Sequence, residues 1–338
     1  MTAVRAFDLV VIGDANPDVV TGPLSGPLAF GQREQLVANA GLVLGGSAAI
    51  MACGAARLGL RVAFAGRVGA DAAGVFVRDA LAGRGVDVGF LVTDPELATP
   101  LTVVVTTEDG DRAILTAPGC LTATGAEDVP GELLAATRHV HAASFFLMPR
   151  LARSLGAVFT RARALGATTS LDTNDDPAGR WDRGLLDPVL EVTDILLPNA
   201  AEARALGLYP AAEPRPGPPR GEVVSGTVAG GDEAARPPRQ PPTVVIKDGG
   251  DGAVALRGTR PLHAPALPVD PVDTVGAGDS FDAGFVAATL RGLDLASALA
   301  LAVACGSLST RGHGGTAAQP TWEEAHAATL HHSDRGSH

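Results

Sequence analysis

The feature that most restricts the fold is an alternation. Short apolar runs break at glycine or a carboxylate, and Ala-rich, helix-like stretches lie between them. Residues 7–12 form such a run and end at Gly13-Asp14, as a buried parallel strand does when its carboxyl end opens on a site. The same reading predicts strands at 61–65, 139–146, 168–172, 195–197, 244–247 and 253–256. Helices are predicted at 45–58, 72–84, 151–165, 200–206, 277–291 and 295–309. Repeated strand–helix units imply an α/β fold in three layers, a parallel sheet with helices on both faces. Two β-type runs, 102–107 and 112–116, break the rhythm. Glu108-Asp109-Gly110-Asp111 joins them, and Asp-Gly between such runs is a strong hairpin signal. This hairpin is expected in a small sheet set apart from the core.

A chain of 338 residues that is 46% hydrophobic can bury a large core, and 4% aromatics suits helices packed closely on a sheet. A net charge of −11 argues against nucleic-acid binding, which needs a basic face, but leaves room for a local anion site made of backbone amides. Cys53, Cys120 and Cys305 lie far apart with no CxxC, the sparse, odd set of a reduced cytoplasmic protein. The N-terminal residues lack the long apolar region of a signal peptide. The longest uncharged apolar stretch, 295–310, is too short to span a membrane. Residues 209–242 are dense in Pro, Gly, Arg and Glu without apolar periodicity and read as a disordered insertion, and 331–338 read as a frayed tail.

The chemistry concentrates in Asp273-Thr274-Val275-Gly276-Ala277-Gly278-Asp279, a glycine-rich turn that runs straight into a helix. The amides of Ala277, Gly278 and Asp279 would be first-turn donors without helical partners, an anion site aided by the helix dipole. A carboxylate among them is placed to take a proton from an attacking hydroxyl. Lys247 is the one lysine in the chain, so no Gly-Lys-Ser/Thr pair exists and a Walker A loop is excluded. The first strand leads into Gly13-Asp14-Ala15-Asn16-Pro17-Asp18 and lacks the three-glycine turn of a dinucleotide-binding fold.

The 273–279 run closely resembles the C-terminal signature of ribokinase-like (PfkB-type) carbohydrate kinases. Gly45-Gly46 with Arg57-Leu58-Gly59 and Gly66-Arg67-Val68-Gly69-Ala70-Asp71 resembles that family's N-terminal signature. Asn199-Ala200-Ala201-Glu202 fits its Asn-x-x-Glu element, and Lys247-Asp248-Gly249-Gly250-Asp251-Gly252 its nucleotide-side glycine turn. The match runs from Leu9 to about Gly315, apart from the Pro-rich insertion.

The resemblance implies one kinase domain over 1–330 that moves the γ-phosphate of ATP to a hydroxyl of a sugar-like molecule. Lid segments would lie at about 18–40 and 98–118, and a homodimer would form through the lid. By the same resemblance Asp279 is the catalytic base, with Gly276, Ala277 and Gly278 as the anion hole. Asn16, Asp18, Gly45 and Gly46 would hold the sugar, Gly45-Gly46 also serving as hinge. Asn199, Glu202, Lys247, Gly249 and Gly252 would form the nucleotide side, with Glu202 ordering the water shell of Mg2+. Asn199 and Glu202 also read as a plain helix cap with a first-turn acid. Asp273 and the Val275 carbonyl match positions that bind a monovalent cation, K+, in some members. Asp282, one turn past Asp279, is a rival base or a simple helix-start carboxylate. Ile50 stands where the family commonly has Asn, which would give a drier pocket wall. A nucleoside kinase of this fold would need an aromatic slot, for which one Tyr and two Trp offer few candidates. A non-catalytic binding protein on the same scaffold is disfavoured by the intact Asp279.

Overall fold

A computed structural model describes residues 5–109, 111–208, 242–257 and 260–335. The insertion read at 209–242 therefore lies, but for Pro242, outside the described residues. β1 (Phe7–Ile12) opens the core, and β2 (Asn16–Leu24) with β3 (Asn39–Gly45) leaves it for a separate small sheet. The chain returns through α1 (Ser47–Arg57), β4 (Val62–Gly69), α2 (Ala72–Ala82) and β5 (Val86–Asp94). β6 (Leu101–Thr107) and β7 (Arg112–Ala117) complete the small sheet. The next units are α3 (Gly131–Ala135), β8 (Thr137–Ala142), α4 (Pro149–Ala164) and β9 (Thr168–Leu171). They are followed by α5 (Arg183–Leu190), β10 (Ile195–Leu196) and α6 (Ala200–Ala205). The last third contains β11 (Thr243–Lys247), β12 (Ala253–Arg257) and β13 (Arg260–Ala264). It closes with α7 (Ala277–Leu290), α8 (Leu295–Ser309) and α9 (Trp322–Arg335).

Among the described residues the large sheet has nine strands in the order β13-β12-β11-β10-β9-β8-β1-β4-β5. It is mixed, whereas the sequence pattern implied a wholly parallel sheet. β11 pairs antiparallel with β12, because the tight turn at 248–252 is too short for a crossover helix, and β12 pairs antiparallel with β13. The other pairings are parallel. One face carries α1, α2, α7 and α8, which bury Met51, Phe64, Leu81 and Phe285. The other carries α3, α4 and α5 over Phe145, Phe159 and Leu186. The small sheet runs β3-β2-β6-β7, so the 102–107/112–116 hairpin does sit apart from the core.

The strand order reverses around β1, whose neighbours are β4 and β8. In an open α/β sheet the crevice beyond the strands' carboxyl ends at such a reversal is where ligands bind. Asp14, Ser144 and Asp172 follow β1, β8 and β9 there. The strand predicted to reach 146 stops at Ala142, since Ser144 turns left-handed (φ 57°) and its N–H donates to Asn174 Oδ1 (2.6 Å). The closing helix runs on to Arg335, through most of the expected tail.

Candidate active site

The site grows from the start of α7. Gly276 is its N-cap at φ 72°, a left-handed conformation that glycine adopts without cost. A Cβ there would also come within 2.6 Å of Gly315 Cα and 2.9 Å of Ile50 Cγ2. Ile50 is 3% exposed and packed under this turn, so it props the glycine loop. The helical ladder starts when Ser280 N–H donates to the Gly276 carbonyl (2.9 Å). Before it, Ala277 N–H donates to the Thr274 carbonyl (3.3 Å), whereas the Gly278 and Asp279 amides take no helical partner, and all three residues line the cleft.

Asp279 is buried, and its carboxyl is pushed up to about 8. Burial is the largest cause; Lys247 opposes it, Asp172 and Asp14 add to it, and a hydrogen bond to Ser47 eases it. One turn on, Asp282 is buried with Asp172 and Lys247. Lys247 Nζ donates to Asp172 Oδ2 at 2.6 Å and to Asp282 Oδ2 at 3.0 Å. Asp282 is therefore held in an ion-pair cluster, which favours Asp279 as the group free to act on a substrate. The acidity of Asp282 is weakened by burial, while Asp172 stays a carboxylate against the Lys247 charge.

A cleft of about 680 Å³ brings together Asn199, Glu202, Lys247, Gly249, Gly252, Ala277, Gly278 and Asp279. Arg112 of β7 reaches its wall. The sequence-selected nucleotide-side residues and the glycine–aspartate turn thus share one cavity. Asn199 and Glu202 form a reciprocal capping box: Glu202 N–H donates to Asn199 Oδ1 (2.9 Å), and Asn199 N–H to Glu202 Oε2 (2.8 Å). The helix-cap reading of this pair is real. Glu202 is nonetheless buried beside the cleft, its pKa pushed up to about 7 by burial and by Asp172. A buried carboxylate in an oxygen-rich wall fits a hydrated Mg2+, whose charge would relieve that repulsion.

Asn16, Asp18, Gly45 and Gly46 lie at the base of the small sheet, beyond the wall of this cleft. Asn16 Nδ2 donates to Asp18 Oδ1 (2.6 Å) and to Thr102 Oγ1 (3.2 Å). Asp18 is 8% exposed and its carboxyl is pushed up to about 6, by burial first and by Asp14 second. A Cβ on Gly45 would overlap the Asp18 carboxylate, and Gly46 sits at φ 90° against the Asp14 carbonyl. The two halves meet through Asp14 and Ser47. Asp14 accepts from the amides of Ser47 (3.1 Å) and Ala48 (3.0 Å), and the Ser47 hydroxyl reaches Asp279. The Asp273 carboxylate accepts from Val275 N–H (3.0 Å) and Gly314 N–H (2.9 Å), tying two loops together behind the glycine turn.

Two members of this constellation, Asn174 and Thr102, were not singled out from sequence, and Asp14 was read there only as the point where the first strand opens on a site. Asn174 donates to Asp172 Oδ2 (3.2 Å) and to Ser47 Oγ (3.1 Å) from a left-handed backbone at φ 51°. For Asp14 and Asn174 the available signal was position, within two residues of where a predicted strand ends. His139 and His141, whose spacing on β8 could suit a metal, are both buried and share the Ser170 hydroxyl.

A parallel-dominated sheet with a small covering sheet, an anion-binding helix start and a buried aspartate beside it define a phosphotransferase class. The chain belongs to the family described as pfkB family carbohydrate kinase, whose profile matches residues 6–322. An ATP-dependent ribose-1-phosphate kinase from Halopiger xanaduensis is 32% identical over 82% of this chain and 83% of its own. A Klebsiella pneumoniae fructokinase is 33% identical over 82% of this chain and 88% of its own. The crystal structure of an E. coli protein designated ribokinase II, in complex with ATP and Mg2+, shares the fold. Its TM-score is 0.78 at 24% identity, over 96% of this chain and 100% of that one.

Proposed function

We propose that this carbohydrate kinase transfers the γ-phosphate of ATP to a hydroxyl of a small sugar, with Asp279 as the base. The observation that carries the reading is Asp279 itself: a buried carboxyl of raised pKa in the first turn of a helix, next to Gly278, whose amide takes no helical partner. Asp279 takes the proton of the acceptor hydroxyl as its oxygen bonds to phosphorus. The bond from the γ-phosphorus to the bridging oxygen breaks, and its electron pair leaves with ADP. The amides of Gly276, Ala277 and Gly278 hold the oxygens of the phosphoryl in flight, where charge is spread and positioning dominates. Bound Mg2+ would neutralise phosphate charge, and Glu202 and Asn199 are the residues that would hold its waters.

On the acceptor side, Asn16 and Asp18 bind sugar hydroxyls and the small sheet excludes water that would otherwise accept the phosphoryl group. A sugar is favoured over a nucleoside because one Tyr and two Trp in the chain offer few candidates for the stacking slot that a base would need. In this reading the kinase unit spans 1–330 and its lid hinges at Gly45-Gly46. The lid segments expose Phe30 (89%), Leu36 (92%), Ile114 (60%) and Leu115 (60%), an apolar surface that supports a homodimer through the lid. K+ would bind at Asp273 and the Val275 carbonyl, where two loops already converge. A cytoplasmic location accords with three buried, unpaired cysteines, and net charge −11 with the absence of a nucleic-acid partner. No helix among the described residues is long and apolar enough to cross a membrane.

The test is ADP release from Mg·ATP against pentoses, hexoses, keto-sugar acids, phosphosugars and nucleosides, with Asp279→Asn alongside. Turnover with one sugar class that the variant loses supports the proposal. Turnover that survives in Asp279→Asn removes Asp279 from the role of base.

A further inference from the structure

Of the 26 basic side chains other than histidine, one is lysine, and it sits at the centre of the carboxylate cluster. Lys247 ends β11, where its amide donates to the Pro198 carbonyl (2.9 Å) just before the Asn199 cap. Its side chain is 10% exposed, and those of Asp172 and Asp282 are 2% and 1% exposed. Its ammonium reaches Asp172 at 2.6 Å and both oxygens of Asp282 at 3.0 and 3.2 Å. Carboxylates therefore take up the donors that a nucleotide phosphate would need. The same ammonium stands 3.6 Å from the point where a Cβ on Gly278 would lie, directly behind the anion-binding turn. Three elements, β9, β11 and α7, are joined by this one cation. Carboxylate oxygens of Asp172, Asp279 and Asp282 all lie within 4.8 Å of one another, a spacing that without an internal cation would drive α7 away from the sheet. An arginine fork is planar and larger, whereas a compact ammonium directs three donors into a closed space.

We propose that Lys247 is a positioning residue for phosphoryl transfer, an internal counter-ion that pins the first turns of α7 against the ends of β9 and β11. The inference rests on the reading of Asp279 as base. By holding Asp282, Lys247 fixes where Asp279 and the Gly276–Gly278 amides stand, and its charge favours the ionised form of Asp279. The other groups that face Asp279 are Asp14 beyond β1, Ser47 on α1, Asp172 beyond β9 and Asp282 on α7 itself. Among them Lys247 is the cation, so its loss and the loss of a neighbouring acid displace the titration of Asp279 in opposite directions.

The experiment compares kcat, KM for ATP and the pH dependence of kcat in wild type, Lys247→Met, Lys247→Arg, Asp172→Asn and Asp279→Asn, with thermal melts as a fold check. Lys247→Met is expected to lose about 100-fold or more in kcat, with KM for ATP within about threefold. Its pH midpoint should move up by about one unit or more, while Lys247→Arg keeps the wild-type midpoint at a reduced rate. Asp172→Asn should also lose rate, but with the midpoint moved down. Lys247→Met with kcat within about threefold of wild type overturns the proposal. So does a loss confined to KM for ATP, which would make Lys247 a direct nucleotide ligand. A slower Lys247→Met with an unmoved midpoint reduces the residue to scaffold and overturns it equally. If Lys247→Met gives no cooperative melt, Asp172→Asn decides: a downward midpoint with reduced rate supports the clamp, and either feature missing refutes it. Full activity in Asp279→Asn refutes the base assignment itself, independently of Lys247.

Discussion

Gly45 offers a way to test the proposed sugar contact of Asp18 without touching the residues proposed for the nucleotide. It closes β3 opposite Asn16 of β2, and it is absent from the left-handed glycines, so its backbone accepts alanine. The obstacle is space: a Cβ at this point would overlap the Asp18 carboxylate. In Gly45→Ala that carboxylate must swing aside and break its 2.6 Å bond from Asn16. Displacing a charged hydrogen-bond partner from a sugar hydroxyl costs about 1.5–3 kcal/mol. That energy corresponds to about a 10- to 150-fold rise in KM for the sugar. KM for ATP should stay within about twofold, because Gly45 and Asp18 lie beyond the wall of the nucleotide cleft. The assay is initial-rate kinetics varying sugar at saturating ATP and then the reverse, with a thermal melt to show that the lid strands still pair. A sugar KM within about twofold of wild type, in a folded variant, would refute Asp18 as a substrate ligand. Equal rises in both constants would place the damage in the scaffold.

Asp279→Asn should bind ATP, lose about 100- to 10,000-fold in kcat and melt several degrees higher at pH 8. The sign follows from Asp279's folded pKa of about 8. The folded state holds a proton that the unfolded carboxyl sheds near pH 4, so this group erodes stability as pH rises from about 4 to 8. Equal melting temperatures at pH 8 would refute its burial as an ionisable group. In wild type, kcat/KM should climb with pH up to a midpoint near 8, since the ionised carboxylate is the working form; a profile flat from pH 6 to 9 would count against it. Glu202→Gln should raise the Mg2+ concentration for half-maximal rate while leaving sugar KM unchanged, and an unaltered Mg2+ dependence would free Glu202 of that role. Phe159→Ala, emptying a fully buried site on the α4 face, should cost about 3–5 kcal/mol in a denaturant melt without changing sugar KM.

Much of the core was legible because its elements declare themselves locally. A buried parallel strand such as Phe7–Ile12 is apolar on both faces, and α8 is apolar all round, so neither needs tertiary context to be seen. What escaped depends on context. β5 exposes Asp87 and Gly89 between buried Val86 and Leu91 because it is an edge strand, which breaks the continuous apolar signal. α5 carries Pro188 and buries only Leu186 and Val189, too little periodicity to mark a helix. The Gly276–Asp279 turn and the Asn199–Glu202 pair were visible because their partners are three residues apart or fewer. The Asp14–Ser47–Asn174–Asp172–Lys247–Asp282 network was not, since the fold brings together partners up to 127 residues apart.

That network bears on how a strongly acidic chain can handle a polyanion. Five carboxyl groups, Asp14, Asp172, Glu202, Asp279 and Asp282, gather at the strand ends with one ammonium among them. They cannot all be ionised at so short a range, and the pattern of shifts separates them. Asp172 stays charged against Lys247, whereas burial and mutual repulsion weaken the acidity of Asp14, Asp279 and Asp282 and of Glu202. In the proposed mechanism, what would meet the phosphates is the dipolar start of α7 and, through Glu202, a hydrated divalent cation. The substrate hydroxyl would then meet Asp279, whose pKa of about 8 makes it basic enough to accept the proton once the oxygen begins to bond to phosphorus. Acidity of the chain as a whole is therefore no obstacle to phosphate chemistry, because the groups offered to the phosphates in this proposal are a helix start and a bound cation rather than the carboxylates themselves.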